Sequence, residues 1–146
     1  MTLKNQMKEL AIPLFMILML FSSSCDKNEL GNSADRKLII SNDLFKNAPN
    51  DPLLISEAKI VGDSLEIKFG ASCCDGNNWE ISLVGSADIL YSEPPQRQIR
   101  LSLKNNELCT AACGKTIAFD IKPSRVNGGQ IILKLEGWQE TLSYKY

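Results

Sequence analysis

The feature that most constrains this chain is the alternation of apolar and polar residues that begins after Pro52. Over residues 64–69, Leu65, Ile67 and Phe69 stand at every second position between polar residues. Because successive side chains of a strand point to opposite faces, a period of two predicts strands with one buried and one wet face. The same pattern recurs at 58–60, 79–83, 99–103, 117–121, 131–135 and 142–146.

Turn signals separate these segments at intervals of about ten residues. Gly62-Asp63 and Asn127-Gly128-Gly129 are two of them, and Pro94-Pro95, which cannot donate ladder hydrogen bonds, predicts an edge or a crossing loop for the apolar piece before it. We find no long segment of helical period. About seven short strands with this spacing predict an all-β, immunoglobulin-like β-sandwich, with a small barrel as the alternative.

The first 24 residues have the composition of an export signal. Two lysines and an apolar run over residues 10–21 precede Ser22-Ser23-Ser24-Cys25. The run is too short to cross about 30 Å of hydrocarbon, and small residues before a cleavage point are typical of a secretion signal. The cysteine resembles that of the lipobox of bacterial lipoproteins. We therefore expect residues 1–24 to be removed and Cys25 to be lipidated.

The segment after Cys25 is rich in Asn, Asp, Ser and Lys, with small apolar islands at 38–40 and 44–45. This composition predicts a flexible tether that separates the folded part from the lipid. The alternative is that the islands dock as an extra edge strand. The predicted organisation is a signal peptide over 1–24, a lipidated cysteine and tether over 25–52, and a β-sandwich domain over 53–146.

The composition argues against two classes of function. The chain contains no histidine, so it lacks the most common general base and the most common metal ligand. Its 16 basic residues are interspersed with 17 acidic ones instead of forming a basic stripe with stacking aromatic residues. We therefore expect no enzymatic activity, no catalytic residue and no nucleic-acid partner.

Four cysteines remain beyond Cys25, and they are Cys73, Cys74, Cys109 and Cys113. An even number of cysteines outside the reducing cytosol predicts two disulfides. A bridge between adjacent residues needs a distorted ring, and residues four apart lie near the upper limit of Cα separation for a bridge. Local pairing is disfavoured for these reasons, and both pairings that link the first two cysteines to the last two stay open.

The alternative interpretation is a metal-handling lipoprotein in which the four cysteines bind zinc or copper. Structural zinc sites usually place two to four residues between paired ligands, whereas Cys73 and Cys74 are adjacent. The spacing of Cys109 and Cys113 is similar to the C-x3-C motif of copper-binding electron-transfer chaperones, but Gly114 stands where those proteins have proline. We therefore expect structural disulfides, no metal site and no cofactor.

A series of features runs through most of the predicted domain. It consists of a strand at 65–69, the turn Gly70-Ala71-Ser72-Cys73-Cys74, an aromatic strand at 79–83, the connection Ser92-Glu93-Pro94-Pro95, Cys109, the strand Phe119-Asp120-Ile121 and Tyr144. In this order the features resemble those of a group of uncharacterised lipoproteins from Bacteroidota.

The resemblance implies an envelope location, a sandwich fold and a pairing of the sulfurs. It places Cys74 and Cys109 on the two cysteine positions of the group, so that Cys73 and Cys113 would be an added pair. The polar residues after Cys25 match in part a surface-export signal of the same phylum. Both the periplasmic face of the outer membrane and the cell surface therefore stay open as locations.

Together these observations predict a lipid-anchored, non-enzymatic binding or accessory module of the bacterial outer membrane. Its expected partners are the membrane, through the lipid anchor, and an envelope protein or a glycan as ligand. An inhibitor of a hydrolase would use the same loops and is a further alternative.

Overall fold

The alternating segments form strands in the computed structural model, which describes residues 36–146. The predicted signal peptide and Cys25 lie outside the described residues. Within residues 36–146, no helix is both long and apolar enough to span a membrane. The described elements are β1 (Ile39–Ile40), α1 (Asn42–Asn47), β2 (Leu54–Val61), β3 (Ser64–Cys73), β4 (Trp79–Gly85), β5 (Gln96–Asn105), β6 (Ala111–Asp120), a 3-10 turn (Lys122–Ser124), β7 (Gln130–Leu135) and β8 (Leu142–Lys145).

The eight strands of the described region form two sheets. One sheet has the order β1-β4-β5-β7-β8, and the other has the order β2-β3-β6. Most neighbours are antiparallel, but β1 pairs with β4 and β5 pairs with β7 in parallel. The predicted all-β sandwich is confirmed, with one strand more than the roughly seven expected.

The core lies between the two sheets and is built from the alternating positions that the sequence singles out. Leu65, Ile67 and Phe69 of β3 have at most 1% of their surface exposed. Facing strands of the larger sheet contribute Leu83 and Leu103, both completely buried. Burying apolar side chains on the inner face of each sheet is what holds a sandwich together.

The segment before Pro52, which we expected to be part of a tether, contacts the sandwich from Arg36 onward. Leu38 is 2% exposed, and its N–H donates to the carbonyl of Asp120 at 2.9 Å. Ile40 in β1 lies against Gly85, where a Cβ atom would stand only 2.9 Å from the end of the Ile40 side chain. The structure thus has the docked edge strand that the sequence left open as the alternative.

Arg100 fixes the rest of this N-terminal segment to β5. Its side chain is only 5% exposed and donates hydrogen bonds to the carbonyls of Phe45 and Ala48, both at 2.7 Å, and of Leu44 and Pro49, both at 3.2 Å. The last carbonyls of a helix have no partner within the helix, and a cation at this end is favoured by the helix dipole. One guanidinium therefore donates hydrogen bonds to the backbone carbonyls at the end of α1 and in the turn that follows it.

The strands run between two ends of the sandwich. The cysteine end carries the β3–β4 loop (residues 74–78) and the β5–β6 loop (residues 106–110). The entry end carries the β4–β5 loop (residues 86–95) and the start of the described chain, where the carbonyl of Arg36 accepts a hydrogen bond from the N–H of Asp120 at 2.8 Å. The described chain therefore joins the sandwich at the end opposite the cysteines.

Replacing Arg100 by methionine is expected to destabilise the protein by about 1–3 kcal/mol, because the carbonyls of Phe45 and Ala48 lose their donor. The carbonyls of Leu44 and Pro49 each lose one of two donors, since Ala48 N–H and Ser102 Oγ also donate to them. Lys104→Met is the matched control, since Lys104 lies on the same face of β5 and its one ion pair within residues 36–146 is an exposed one with Glu80. Urea unfolding measures both variants. Equal losses of stability in the two variants would contradict the role given to Arg100.

Candidate functional site

Two disulfides close the cysteine end. Cys73 is bonded to Cys113 and Cys74 to Cys109, with Cα separations of 5.8 and 4.9 Å. These separations lie in the usual range for disulfides. They are the same two pairs that the resemblance to the Bacteroidota lipoproteins implied.

Adjacent cysteines reach different partners because consecutive side chains at the end of β3 point in opposite directions. Cys73 is completely buried and belongs to the core, where its disulfide ties β3 to β6. Cys74 is exposed and reaches Cys109 in the β5–β6 loop. One bridge therefore lies inside the sandwich, and the other joins the two loops on its surface.

The carboxylate of Glu107 lies under the β3–β4 loop and accepts hydrogen bonds from four of its backbone N–H groups. The donors to Oε2 are Cys74 at 2.5 Å, Asp75 at 3.2 Å and Gly76 at 3.0 Å, and Asn78 donates to Oε1 at 3.0 Å. Glu107 is only 9% exposed. Backbone N–H groups that converge in this way form an anion-binding nest, and here a side chain of the same protein fills it.

These donors keep Glu107 ionised. The N–H groups, with that of Asn78 having the largest effect, lower the pKa of Glu107 to about 2, although burial acts in the opposite direction. A carboxyl group with this pKa is charged at neutral pH and does not act as a general acid there. The role that this geometry gives Glu107 is to order the loop.

The turn that surrounds Glu107 also depends on Gly76. Its φ angle is +75°, a left-handed conformation that glycine adopts at little cost. The Nζ of Lys115 donates a hydrogen bond to the carbonyl of Gly76 and lies 5.2 Å from the centroid of the Trp79 ring. Trp79 in turn packs on Phe69 of the core, with ring centroids 5.7 Å apart. The β3–β4 loop is thus connected to the core through Lys115 and Trp79.

Asn105 connects the β5–β6 loop to its surroundings. Its Oδ1 accepts a hydrogen bond from the N–H of Glu107 at 2.9 Å, and its Nδ2 donates to the carbonyl of Ser72 at 2.8 Å. The N–H of Asn105 donates to Oδ2 of Asp51 at 2.7 Å. Asn105, at the end of β5, is therefore hydrogen-bonded to β3 of the other sheet and to the N-terminal segment.

Leu108 lies in the β5–β6 loop and is 98% exposed. Its neighbours along the chain are Glu107, whose carboxylate is held by four N–H groups, and Cys109, which is in a disulfide. An apolar side chain is therefore presented to solvent by backbone that is restrained on both sides. This arrangement can provide a contact for a binding partner.

The structure brings the four predicted cysteines together, whereas Cys25 lies outside the described residues. Sequence reasoning missed Glu107, although it stands two positions before Cys109 in a loop with asparagines. The four-thiolate metal alternative requires these sulfurs as thiolates, whereas the structure has them in disulfides. Among residues 36–146, no group of three or more His, Cys, Asp and Glu is arranged to hold a metal ion.

Comparison with known proteins finds similarity in structure only. No protein-family model matches the chain, and no curated protein matches it. A protein of unknown function, DUF1344, from Bacteroides vulgatus is 19% identical with a TM-score of 0.52, over 76% of this chain and 56% of that one. A NigD-like immunity protein from Bacteroides caccae is 11% identical with a TM-score of 0.56, over 75% of this chain and 63% of that one.

The present chain spans less than two thirds of the length of either solved structure. At these identities the similarity shows a shared fold. The two-sheet architecture described above therefore also occurs in proteins from Bacteroides.

Glu107→Gln tests the role of the buried carboxylate through the pH dependence of stability. Because the pKa of Glu107 is lowered from 4.5 to about 2, its contribution is present above the unfolded pKa and is lost as the pH falls toward 2. The variant is expected to be less stable than the wild type at pH 6, and the difference should shrink between pH 4.5 and pH 2. Urea midpoints at several pH values measure it.

The exposed Glu93→Gln is the control for Glu107→Gln, and it should match the wild type throughout. A difference between wild type and Glu107→Gln that stays constant from pH 6 to pH 2 would show that the charge of Glu107 does not act as described.

Removing either disulfide by a pair of alanine substitutions is expected to cost about 3–4 kcal/mol in the chain-entropy account. The pair at Cys73 and Cys113 should cost more than the pair at Cys74 and Cys109, because the side chain of Cys73 is completely buried. Denaturant unfolding compares the two variants. A smaller loss for the Cys73 and Cys113 pair would contradict the difference in burial.

Proposed function

We propose that this protein is a lipid-anchored, non-enzymatic binding module of the bacterial cell envelope, and that its cysteine end contacts a protein partner. The anchor rests on the sequence, in which an apolar run and three serines precede Cys25. The contact rests on the geometry of the β5–β6 loop. The exposure of Leu108 on restrained backbone is the observation that supports a binding role most directly.

The course of the chain supports this arrangement. Residue 25 precedes Arg36, the first described residue, by 11 positions, so that an extended connection would reach at most about 40 Å. The described chain joins the sandwich at the entry end. An anchor at Cys25 would therefore connect to the end of the domain that lies opposite Leu108, and the cysteine end would be left free to meet a partner.

Restraint of the two loops favours binding for a thermodynamic reason. Loops that become ordered only on binding reduce affinity, because their conformational entropy is lost at that moment. At the cysteine end, two disulfides and the four N–H bonds to Glu107 impose this order beforehand. The apolar contact of Leu108 would then add to affinity without a large ordering penalty.

A protein partner is the class of ligand that we propose to test first. The solved structure from Bacteroides caccae is described as that of an immunity protein. A glycan site would need polar groups and an exposed aromatic ring, whereas the tip of the cysteine end is an aliphatic side chain and Trp79 is 8% exposed. We place the protein at the outer membrane, on the periplasmic face or on the cell surface.

Two measurements test the two parts of this proposal. Palmitate labelling in the native host should mark the wild type, and Cys25→Ala should remove the label while the uncleaved precursor accumulates. Labelling that persists in Cys25→Ala would contradict the anchor and would leave the binding part untouched.

The binding part is tested by cross-linking in intact cells. We expect the wild type to form a discrete cross-linked complex with a second protein and Leu108→Ser to lose it by about tenfold or more, as for a contact worth about 1.4 kcal/mol. Val61→Ser is the matched control, because Val61 is also an exposed aliphatic residue, at 55%, but lies by the turn at the entry end. Equal complexes in both variants would contradict the role of Leu108.

A further inference from the structure

Most of the large apolar side chains that are exposed within residues 36–146 lie at the entry end of the sandwich. The cysteine end carries Leu54 and Leu108. Those of the entry end are Ile39, Val61, Leu90, Tyr91 and Tyr146. Leu90 and Tyr91 are the most exposed of this group, at 65% and 92%, and both belong to the β4–β5 loop. The middle of this loop therefore presents apolar surface at the end where the described chain joins the sandwich.

The backbone on both sides of Tyr91 is held by hydrogen bonds. The N–H of Leu90 donates to the carbonyl of Gln96 at 2.9 Å, and the N–H of Gln96 donates to the carbonyl of Leu90 at 3.0 Å. The N–H of Ser92 also donates to the carbonyl of Leu90 at 3.0 Å, and its Oγ donates to the carbonyl of Pro94 at 2.7 Å. Leu90 and Tyr91 are therefore exposed on a loop that is closed by its own hydrogen bonds.

The chemistry of these two side chains suits contact with a lipid surface. Tyrosine is enriched at membrane–water interfaces, because its ring is apolar and its hydroxyl group can hydrogen-bond to headgroups and water. Transfer of leucine from water to an apolar environment is favourable. A loop that exposes Leu90 beside Tyr91 therefore matches the boundary between headgroups and acyl chains.

The course of the chain favours lipid over a protein as the partner of this loop. Residues 26–35 connect the proposed anchor at Cys25 to Arg36, which lies at the entry end. A flexible chain of this length has a root-mean-square span of about 20 Å. An anchor at Cys25 would therefore keep the entry end close to the membrane. Leu108 would be about 30 Å further away, because the 10 residues of β5 separate the two ends.

Attachment through the anchor makes a contact of two side chains sufficient. A single weak membrane signal gives marginal binding, whereas two signals together hold a protein on the membrane. Because an anchored domain cannot diffuse away, the effective concentration of its loop at the surface is on the order of millimolar. The loop therefore needs only modest affinity for lipid to stay in contact with it.

The charges near the loop favour an apolar contact with a lipid surface of no net charge. Residues 86–95 include Asp88 and Glu93 and no basic residue. Arg36 and Lys37, which are exposed at the same end, offset these two charges. Attraction to anionic lipid is a property of clustered basic residues. The contact should therefore depend little on anionic lipid or on salt.

We propose that the β4–β5 loop places Leu90 and Tyr91 in the headgroup region of a phospholipid membrane. This inference rests on the lipid anchor of the proposed function and adds to it a direct contact between the folded domain and the lipid. The contact orients the sandwich with its entry end on the membrane and Leu108 at the end away from it.

Fluorescence quenching tests the contact in the lipidated protein, reconstituted in phosphatidylcholine vesicles with bromine on the acyl chains near the headgroup. Tyr91→Trp places a reporter in the loop, and Leu108→Trp is the matched control at the other end. The wild type gives the emission of Trp79 and Trp138, which is subtracted. The added emission of Tyr91→Trp should fall by about twofold or more relative to vesicles without bromine, because interfacial side chains lie about 5–10 Å deep. That of Leu108→Trp should stay unchanged.

Flotation of the vesicles in a density gradient separates failure of the loop contact from failure of the anchor. Protein that floats while Tyr91→Trp is quenched no more than Leu108→Trp would overturn the loop contact and leave the anchor intact. Protein that does not float would contradict the anchor and, with it, the loop contact. Quenching that is lost at high salt would overturn the apolar nature of the contact.

A second substitution in the Tyr91→Trp protein tests the part of Leu90. Leu90→Ser should reduce the quenching, because the loop loses half of its apolar pair. Leu54→Ser is the control, since Leu54 is also exposed, at 73%, but lies at the cysteine end. Equal quenching in these two double variants would contradict the insertion of Leu90.

Discussion

The organisation of the cysteine end depends on the hydrogen bonds between the Glu107 carboxylate and the β3–β4 loop. Four N–H groups would otherwise need water or another acceptor, and the carboxylate would otherwise need a cation. Each satisfies the other, so the loop takes one conformation with Gly76 at a positive φ angle. The Cys74–Cys109 disulfide holds the same two loops together covalently. The exposed position of Leu108 is a consequence of both.

The two ends of the sandwich differ in how their polar groups are satisfied. At the cysteine end, the Glu107 carboxylate and the N–H groups of the β3–β4 loop satisfy one another, and the surface offers an apolar contact on restrained backbone. At the entry end, Arg97 has a buried nitrogen without a partner in the described part of the chain, beside a cavity. The first arrangement suits recognition of a surface.

The sequence predicts the strands well because each strand buries one face. Leu65, Ile67 and Phe69, for example, alternate with polar residues in the sequence and are the buried residues of β3. It does not predict the parallel pairing of β5 with β7, since alternation is the same for either direction. Leu38 and Ile40 were too few to distinguish a docked strand from a tether. Glu107 could not be recognised, because its role depends on a loop that only the folded chain brings beside it.

Amide hydrogen exchange of the oxidised protein tests most directly whether the Glu107 carboxylate orders the β3–β4 loop. The amides of Gly76 and Asn78, which donate to Glu107, should exchange as slowly as strand amides such as that of Ile67. The amide of Tyr91, in the exposed β4–β5 loop, provides the fast reference. Exchange at Gly76 and Asn78 as fast as at Tyr91 would contradict a preformed cysteine end.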